Sequence, residues 1–197
     1  KTGIKFNILC ETLEQIDATV DFAKSEGITF DEISIESELI SESSLYDKLN
    51  SIREYCAAFN LYMPHIFRDE AKAFFNKYLQ RIRELKFDNF IVRSLEEIFY
   101  IDDNIDNNAN IILDYSVYAY NKNTIDFYND NFNIKRLTYP LELNLSEIRQ
   151  LDNPGNEMIA YGKIPMMVSA QCLKKTTKGC DHKKEILVLK DRKNSEM

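Results

Sequence analysis

Four polar side chains that could take part in catalysis directly follow apolar runs of the chain. Glu142 and Asn144 end the stretch TYPLELN, and His65 and Arg68 lie within LYMPHIFR. A carboxylate among leucines is expected to be partly buried, so it must be paired or have a raised pKa, as general acids and bases do. Alternatively, Glu142 pairs with Arg68 or Arg93 or caps a helix, and His65 is a hydrogen-bonded structural histidine rather than a base or a ligand.

Cys172 and Cys180 are candidate metal ligands because polar and charged residues flank them. Their C-x7-C spacing is too wide for a zinc knuckle, but an iron–sulfur cluster accepts thiolates at irregular spacings. The lysines between them favour the thiolate form. His182 is a possible third ligand, and no fourth ligand is evident in the chain. Cys10 and Cys56 lie in apolar patterns and are expected to pack as small hydrophobes.

Composition excludes several classes of protein. The 197 residues are 44% hydrophobic with a net charge of −7, which argues for a globular domain and against a DNA-binding or whole-surface nucleic-acid-binding protein. No apolar run is long enough to span a membrane, and no secretion signal is present, which predicts a cytoplasmic protein. Residues 174–193 carry eight Lys or Arg against three acidic residues. They form a basic loop or hairpin, either a solvated face or a contact for phosphate or RNA.

Apolar, β-branched runs alternate with helical patterns along the chain. The strongest helical segments are 12–26, where Thr12 and Gln15 form a capping-box sequence and Gly27 is a stop signal, and 68–84. Shorter helices are predicted at 95–100, 123–130 and 146–151. Eight apolar runs start 23 to 29 residues apart, at Ile4, Glu32, Leu61, Phe87, Asn110, Asn133, Glu157 and Glu185.

This rhythm predicts an α/β protein with a parallel sheet, and the eight runs favour a TIM-barrel-like (β/α)8 fold, incomplete or irregular in its later part. A Rossmann fold is less favoured because the chain has no G-x-G-x-x-G. The glycines that a Walker phosphate loop requires are also missing. In a barrel, function belongs at the carboxyl ends of the strands. The polar residues predicted there are Glu11, Glu36, Glu38, His65, Arg68, Arg93, Asp114, Glu142, Asn144, Ser169 and Cys172.

Several stretches of the chain, in this order, resemble the peptidase U32 family, the collagenase-like proteases. They are FNILCETLEQIDATV at 6–20, MPHIFR at 63–68, DYSVYAYN at 114–121, TYPLELN at 138–144, YGKIPMMVSAQC at 161–172 and LKDRKN at 189–194. The chain departs from the family pattern at Tyr118, where members often carry Asn, and at Asn194, where Gly often stands. The Gly- and Ala-rich first segment of the family is absent. We therefore expect residues 1–197 to be a single barrel-like domain, a later or C-terminal piece of a longer protein.

The resemblance implies a TIM-barrel-like fold and three candidate functions. The first is a peptidase whose strand-end pocket, with Glu142, Asn144, Arg68 and His65, binds a peptide substrate or a metal. The second is an iron–sulfur protein of the RNA or quinone hydroxylation branch: Cys172 and Cys180 match the first two of four [4Fe–4S] ligands, so the cluster is incomplete in this chain. The third is a non-catalytic module that packs against upstream and downstream domains of the parent chain; a strand-end face plugged by side chains would favour it. The chain has no H-E-x-x-H, G-x-S-x-G or papain-like motif.

Overall fold

The protein alternates parallel strands with helices from its beginning. The structure, a computed structural model, describes residues 3–151, 155–165, 167–171 and 179. The strands are β1 (Asn7–Cys10), β2 (Phe30–Glu36), β3 (Cys56–Tyr62), β4 (Asn89–Val92), β5 (Ile111–Leu113) and β6 (Ile134–Leu137). The helices are α1 (Leu13–Glu26), α2 (Leu45–Glu54), α3 (Asp69–Leu85), α4 (Leu95–Asn104), α5 (Lys122–Asn131) and α6 (Leu145–Leu151), with 3₁₀ turns at Ser37–Ser41 and Tyr115–Val117.

The six strands form one parallel sheet in the order β1-β2-β3-β4-β5-β6. This sequential order differs from the rearranged order of a doubly wound sheet, in which the chain returns to the middle. The α/β class and six of the eight predicted strands are therefore confirmed. The seventh predicted run supplies a single bridge, Thr138 to Glu157. The eighth, which starts at Glu185, lies outside the described residues, as does most of the basic segment 174–193.

The helix signals predicted for α1 and α3 are confirmed. Thr12 caps α1 through a capping box with Gln15, and Gly27 ends the helix with a φ of 63°. The long helix α3 buries Phe75, Ile82 and Leu85 on one face, and each such side chain contributes roughly 1.5–3 kcal/mol when removed from water. Helix α2 has no counterpart among the helices named from the sequence, although Leu45, Leu49 and Ile52 have helical spacing and face the core.

The sheet curls, and its two faces differ in chemistry. Arg136 Nη2 on β6 lies 2.6 Å from Glu32 Oε2 on β2. In a flat sheet, strands four places apart would be separated by about 19 Å, so these side chains meet on a concave inner face. On the outer face, Ile33, Phe59 and Val92 join the hydrophobic core with the surrounding helices, whereas the inner Ile91 stays outside that core. The apolar core therefore lies between sheet and helices, and the inner face is mainly polar.

The chain separates into two compact units, Lys1–Lys163 and Ile164–Met197. The first holds all the helices and strands given above. In the second, the described residues form no helix or strand. Within the described part of the chain, no helix is both long and apolar enough to cross a bilayer.

Helix α3 ends at a non-glycine residue in the left-handed region. Lys86 has φ 51°, close to the 63° of Gly27 at the end of α1. Because a side chain in this region costs about 1–2 kcal/mol, we expect Lys86→Gly to stabilise the protein by about 1 kcal/mol and the matched Gly27→Ala to destabilise it by a similar amount. Urea unfolding followed by circular dichroism measures both; a loss of stability in Lys86→Gly would contradict the assignment.

Candidate functional site

Arg93 lies at the centre of the carboxyl ends of the strands. Its guanidinium binds both oxygens of Glu36, at 3.1 Å from Nη1 and 2.8 Å from Nη2, and Nη1 also donates to the carbonyl of Met63. The guanidinium carbon lies 4.8 Å from the centre of the Tyr62 ring. The Arg93 side chain is only 5% exposed. Three neighbouring strands, β2, β3 and β4, therefore converge on one buried cation.

Asp114, directly after β5, adds a second carboxylate to this cluster. Its Oδ2 lies 3.7 Å from Arg93 Nε and accepts hydrogen bonds from the backbone N–H and the hydroxyl of Ser116. Burial raises the pKa of Glu36, and the two hydrogen bonds from Arg93 oppose this effect. Burial, together with the negative charge of Asp114, also raises the pKa of Tyr62. The cluster is thus a buried ion pair whose charges are largely satisfied from within.

A second polar network fills the inner face below this cluster. Arg136 is held between Glu32 at 2.6 Å and Glu157 at 2.9 Å. Glu157 also accepts a hydrogen bond at 2.5 Å from the side-chain amide of Asn7 on β1. Asn60 donates to Glu32 at 2.5 Å, and further bonds link it to Ser34 and Asn89. Ion pairs and hydrogen-bonded amides therefore occupy the inner face of the sheet.

The loop after β3 presents His65 and Arg68 at the rim of this end of the sheet. The loop is anchored on both sides of the histidine by Met63, which is fully buried, and Phe67, which is 5% exposed. His65 is exposed, although neighbouring atoms remove part of the water around its imidazole. This desolvation, and then the nearby charge of Arg93, lower the pKa of His65. The Arg68 side chain is exposed and forms no polar contact with the described residues. Both side chains are accessible to a ligand.

The expectation of a partly buried Glu142 is wrong. The leucine-rich run around it is not a strand, since β6 ends at Leu137 and the chain then turns into α6. Glu142 is consequently exposed, and it pairs with neither Arg68 nor Arg93. Its carboxylate lies beside the Tyr120 side chain and, after desolvation, raises the pKa of that tyrosine.

Asn144 begins helix α6. Its side-chain oxygen accepts the backbone N–H groups of Ser146 at 2.9 Å and Glu147 at 3.1 Å, while its own N–H donates to Glu147 Oε2. These are the bonds of a helix cap. The polar residues foreseen at the strand ends thus divide into the buried cluster around Arg93 and a more exposed rim that includes His65, Arg68, Glu142 and Asn144. Ser169 belongs to the second unit, where its hydroxyl accepts the N–H of Gln171.

The expectation that Cys10 and Cys56 pack as buried side chains is confirmed. Cys10 and Cys56 are buried, and burial raises the pKa of both thiols, that of Cys56 to about 11. Cys172 and Cys180, the predicted cluster ligands, lie outside the described residues, as does His182. Within residues 3–151, 155–165, 167–171 and 179, no group of three His, Cys, Asp or Glu side chains could hold a metal.

Glu97 is a buried carboxylate that the sequence analysis did not single out. It is fully buried, and its Oε2 accepts the backbone N–H of Arg93 at 2.6 Å and of Ser94 at 3.3 Å, while Oε1 has no partner among the described residues. Burial raises the pKa of Glu97 to about 7. The pattern Ser94-x-x-Glu97 is a capping-box sequence, which could have located it. Likewise, alternating polar residues in β2, at 32, 34 and 36, could have revealed the polar inner face.

A protein-family model covers most of the chain. The model of peptidase family U32 matches residues 36–180, which include β3 to β6 and the rim residues. No curated protein and no solved structure matches the chain.

The Arg93 cluster is expected to contribute strongly to stability. Arg93→Met would leave the buried Asp114 and the largely buried Glu36 without their cation, and breaking a buried pair in this way costs about 3–5 kcal/mol. The matched control is Lys48→Met, which removes the more exposed ion pair with Asp17 and should cost at most about 1 kcal/mol. Guanidinium unfolding of both variants tests this; equal losses would show that the cluster is not a stability determinant.

Glu97 should make stability depend on pH. Since its pKa is about 7 in the folded protein against 4.5 for the free group, the folded state binds more protons between these values. The free energy of unfolding should therefore fall as pH rises from about 4.5 to about 7, by about 3 kcal/mol from this residue alone. Glu97→Gln should match the wild type at pH 5 and exceed it at pH 8. Parallel stability curves for the two proteins from pH 5 to pH 8 would refute this.

Proposed function

The chain belongs to peptidase family U32, and on this premise we propose that it is a hydrolase of peptide bonds whose substrate binds at the rim formed by the carboxyl ends of β3, β5 and β6. As part of the proposal, the curled sheet is the larger part of a (β/α)8 barrel, whose sites lie at this end. The buried, unlinked thiols Cys10 and Cys56 are consistent with a cytoplasmic location.

The observation that carries the proposal is the placement of His65. The imidazole is exposed and its loop is fixed by buried anchors at Met63 and Phe67. Desolvation and then the charge of Arg93 lower the pKa of His65, which favours the neutral imidazole that can accept a proton. We assign it as the general base that removes a proton from a water molecule as that water attacks the peptide carbonyl. The proton then passes to the departing amine.

The other rim residues suit substrate binding. The Arg68 guanidinium, without a polar contact in the described part of the chain, is placed to bind a carboxylate of the peptide. Asn144 is assigned to the substrate backbone and Glu142 to a polar or charged substrate group. Arg93 is assigned as a positioning residue, because its guanidinium donates to the carbonyl of Met63 at the start of the loop that carries His65.

The filled inner face favours the third candidate, a module without its own catalysis. Arg93, Asp114 and Arg136 occupy the space in which a deep pocket would lie. In that case the rim would bind the parent chain's neighbouring domains, which would carry the chemistry. The iron–sulfur alternative is tested by anaerobic purification of the longer protein followed by iron analysis. An iron-free protein would exclude a cluster on Cys172 and Cys180.

Substitution of His65 tests the proposed hydrolysis. The full chain is incubated with gelatin and with casein, and new amino termini are counted by mass spectrometry. His65→Gln should reduce cleavage about 100-fold or more, the usual contribution of a general base, and wild-type activity should fall on acidification with an apparent pKa below 6.5. The control is Glu54→Gln, an exposed residue at the end of α2. Cleavage by His65→Gln at the control rate removes the base assignment, and no cleavage by the wild type favours the non-catalytic module.

A further inference from the structure

Two exposed tyrosines stand next to Glu142 at the rim. The rings of Tyr118 and Tyr120 are stacked, with centroids 5.8 Å apart and planes 13° from parallel. They are 55% and 38% exposed. Desolvation and then the neighbouring Glu142 carboxylate raise the pKa of Tyr120, so this carboxylate lies beside the tyrosine, and Glu142 and Tyr118 also act on the half-buried Tyr115. Aromatic faces and a carboxylate are thus grouped at the ends of the neighbouring strands β5 and β6.

The segment that carries the tyrosines is held rigidly. Asp114 fixes its start through two bonds to Ser116, and Asn121 fixes its end by capping α5. Between them, Tyr118 has φ 58°, a left-handed conformation that bulky residues rarely adopt, and its carbonyl accepts the N–H of Tyr120 at 2.9 Å. The backbone that carries the two tyrosines is therefore fixed on both sides, which lowers the entropic cost of binding a ligand there.

The same combination of groups elsewhere in this protein surrounds a cation. Tyr46 donates to Glu84 at 2.6 Å, and the guanidinium of Arg81 lies 5.3 Å from its ring centre. Tyr62 likewise packs against Arg93, which is bound to Glu36. In the described part of the chain, no Lys or Arg lies over Tyr118 or Tyr120, although both rings are accessible.

We propose that Tyr118, Tyr120 and Glu142 bind the cationic side chain of an arginine or lysine residue in the peptide substrate. The cation packs on the tyrosine faces while Glu142 accepts its hydrogen bonds. This inference rests on the proposed function, since it names the substrate residue that the same rim selects. The net charge of −7 further favours a basic ligand.

Binding is measured separately from cleavage, so that the two proposals can fail independently. The full chain, with ¹³C-labelled tyrosine, is titrated by NMR with an acetylated, amidated peptide containing one arginine, and with the same peptide containing citrulline, the uncharged isostere. A second pair contains lysine or acetyl-lysine. The cationic peptides should bind about 10-fold more tightly than their neutral counterparts at low salt, with shifts in the Tyr118 and Tyr120 rings.

Variants assign the preference to these residues. Glu142→Gln, which removes the charge, and Tyr118→Asn, which removes the ring but suits the left-handed backbone, should each reduce the preference for arginine about 3-fold. The control is Tyr46→Asn, which changes a tyrosine whose ring is already covered by Arg81. It should leave the preference for arginine unchanged. Equal binding of arginine and citrulline peptides, or a preference unaffected by both variants, overturns the inference. Selective binding without any cleavage leaves the inference intact and contradicts the proposed hydrolysis.

Discussion

Charge buried on the inner face of the sheet must be neutralised, and this constraint organises the protein. An unpaired charge in such a position would cost several kcal/mol, so Arg93 is surrounded by Glu36, Asp114 and the Tyr62 ring, and Arg136 lies between Glu32 and Glu157. Of these pairs, Arg136 on β6 and Glu32 on β2 are four strands apart, so the sheet must curl before they can meet. Pairing of charges and curvature of the sheet thus depend on each other.

The same constraint separates structural polar groups from groups available for ligands. Side chains on the concave inner face form their hydrogen bonds mainly with one another, whereas His65, Arg68 and Glu142 lie where water or a substrate can reach them. Desolvation is the main cause that lowers the pKa of His65, and the charge of the buried Arg93 adds to it. An inner face filled by paired charges and an accessible rim are consistent with the proposed binding of a substrate across the strand ends rather than deep within the sheet.

Local features were predictable where short stretches of chain decide them. The Thr12 capping box, the Gly27 stop and the buried stripe of α3 depend on residues a few positions apart, and all three are present. Glu142 illustrates the opposite case. Alternating leucines suggested a strand, but the chain turns after β6 and Glu142 is exposed. The buried carboxylate is instead Glu97, because its capping role requires it to face the backbone at the start of α4.

The sequence by itself determined the α/β rhythm, six strands with their main helices, and membership of the U32 family, because periodicity, caps and motifs are properties of neighbouring residues. Only the tertiary structure decided which charges meet. Arg93 and Glu36 are 57 residues apart, and Arg136 and Glu32 are 104 apart. Such pairs depend on the register and curvature of the whole sheet, which no local pattern encodes. For the same reason, only the folded chain shows the tyrosines of the β5 loop standing beside the carboxylate of the β6 loop.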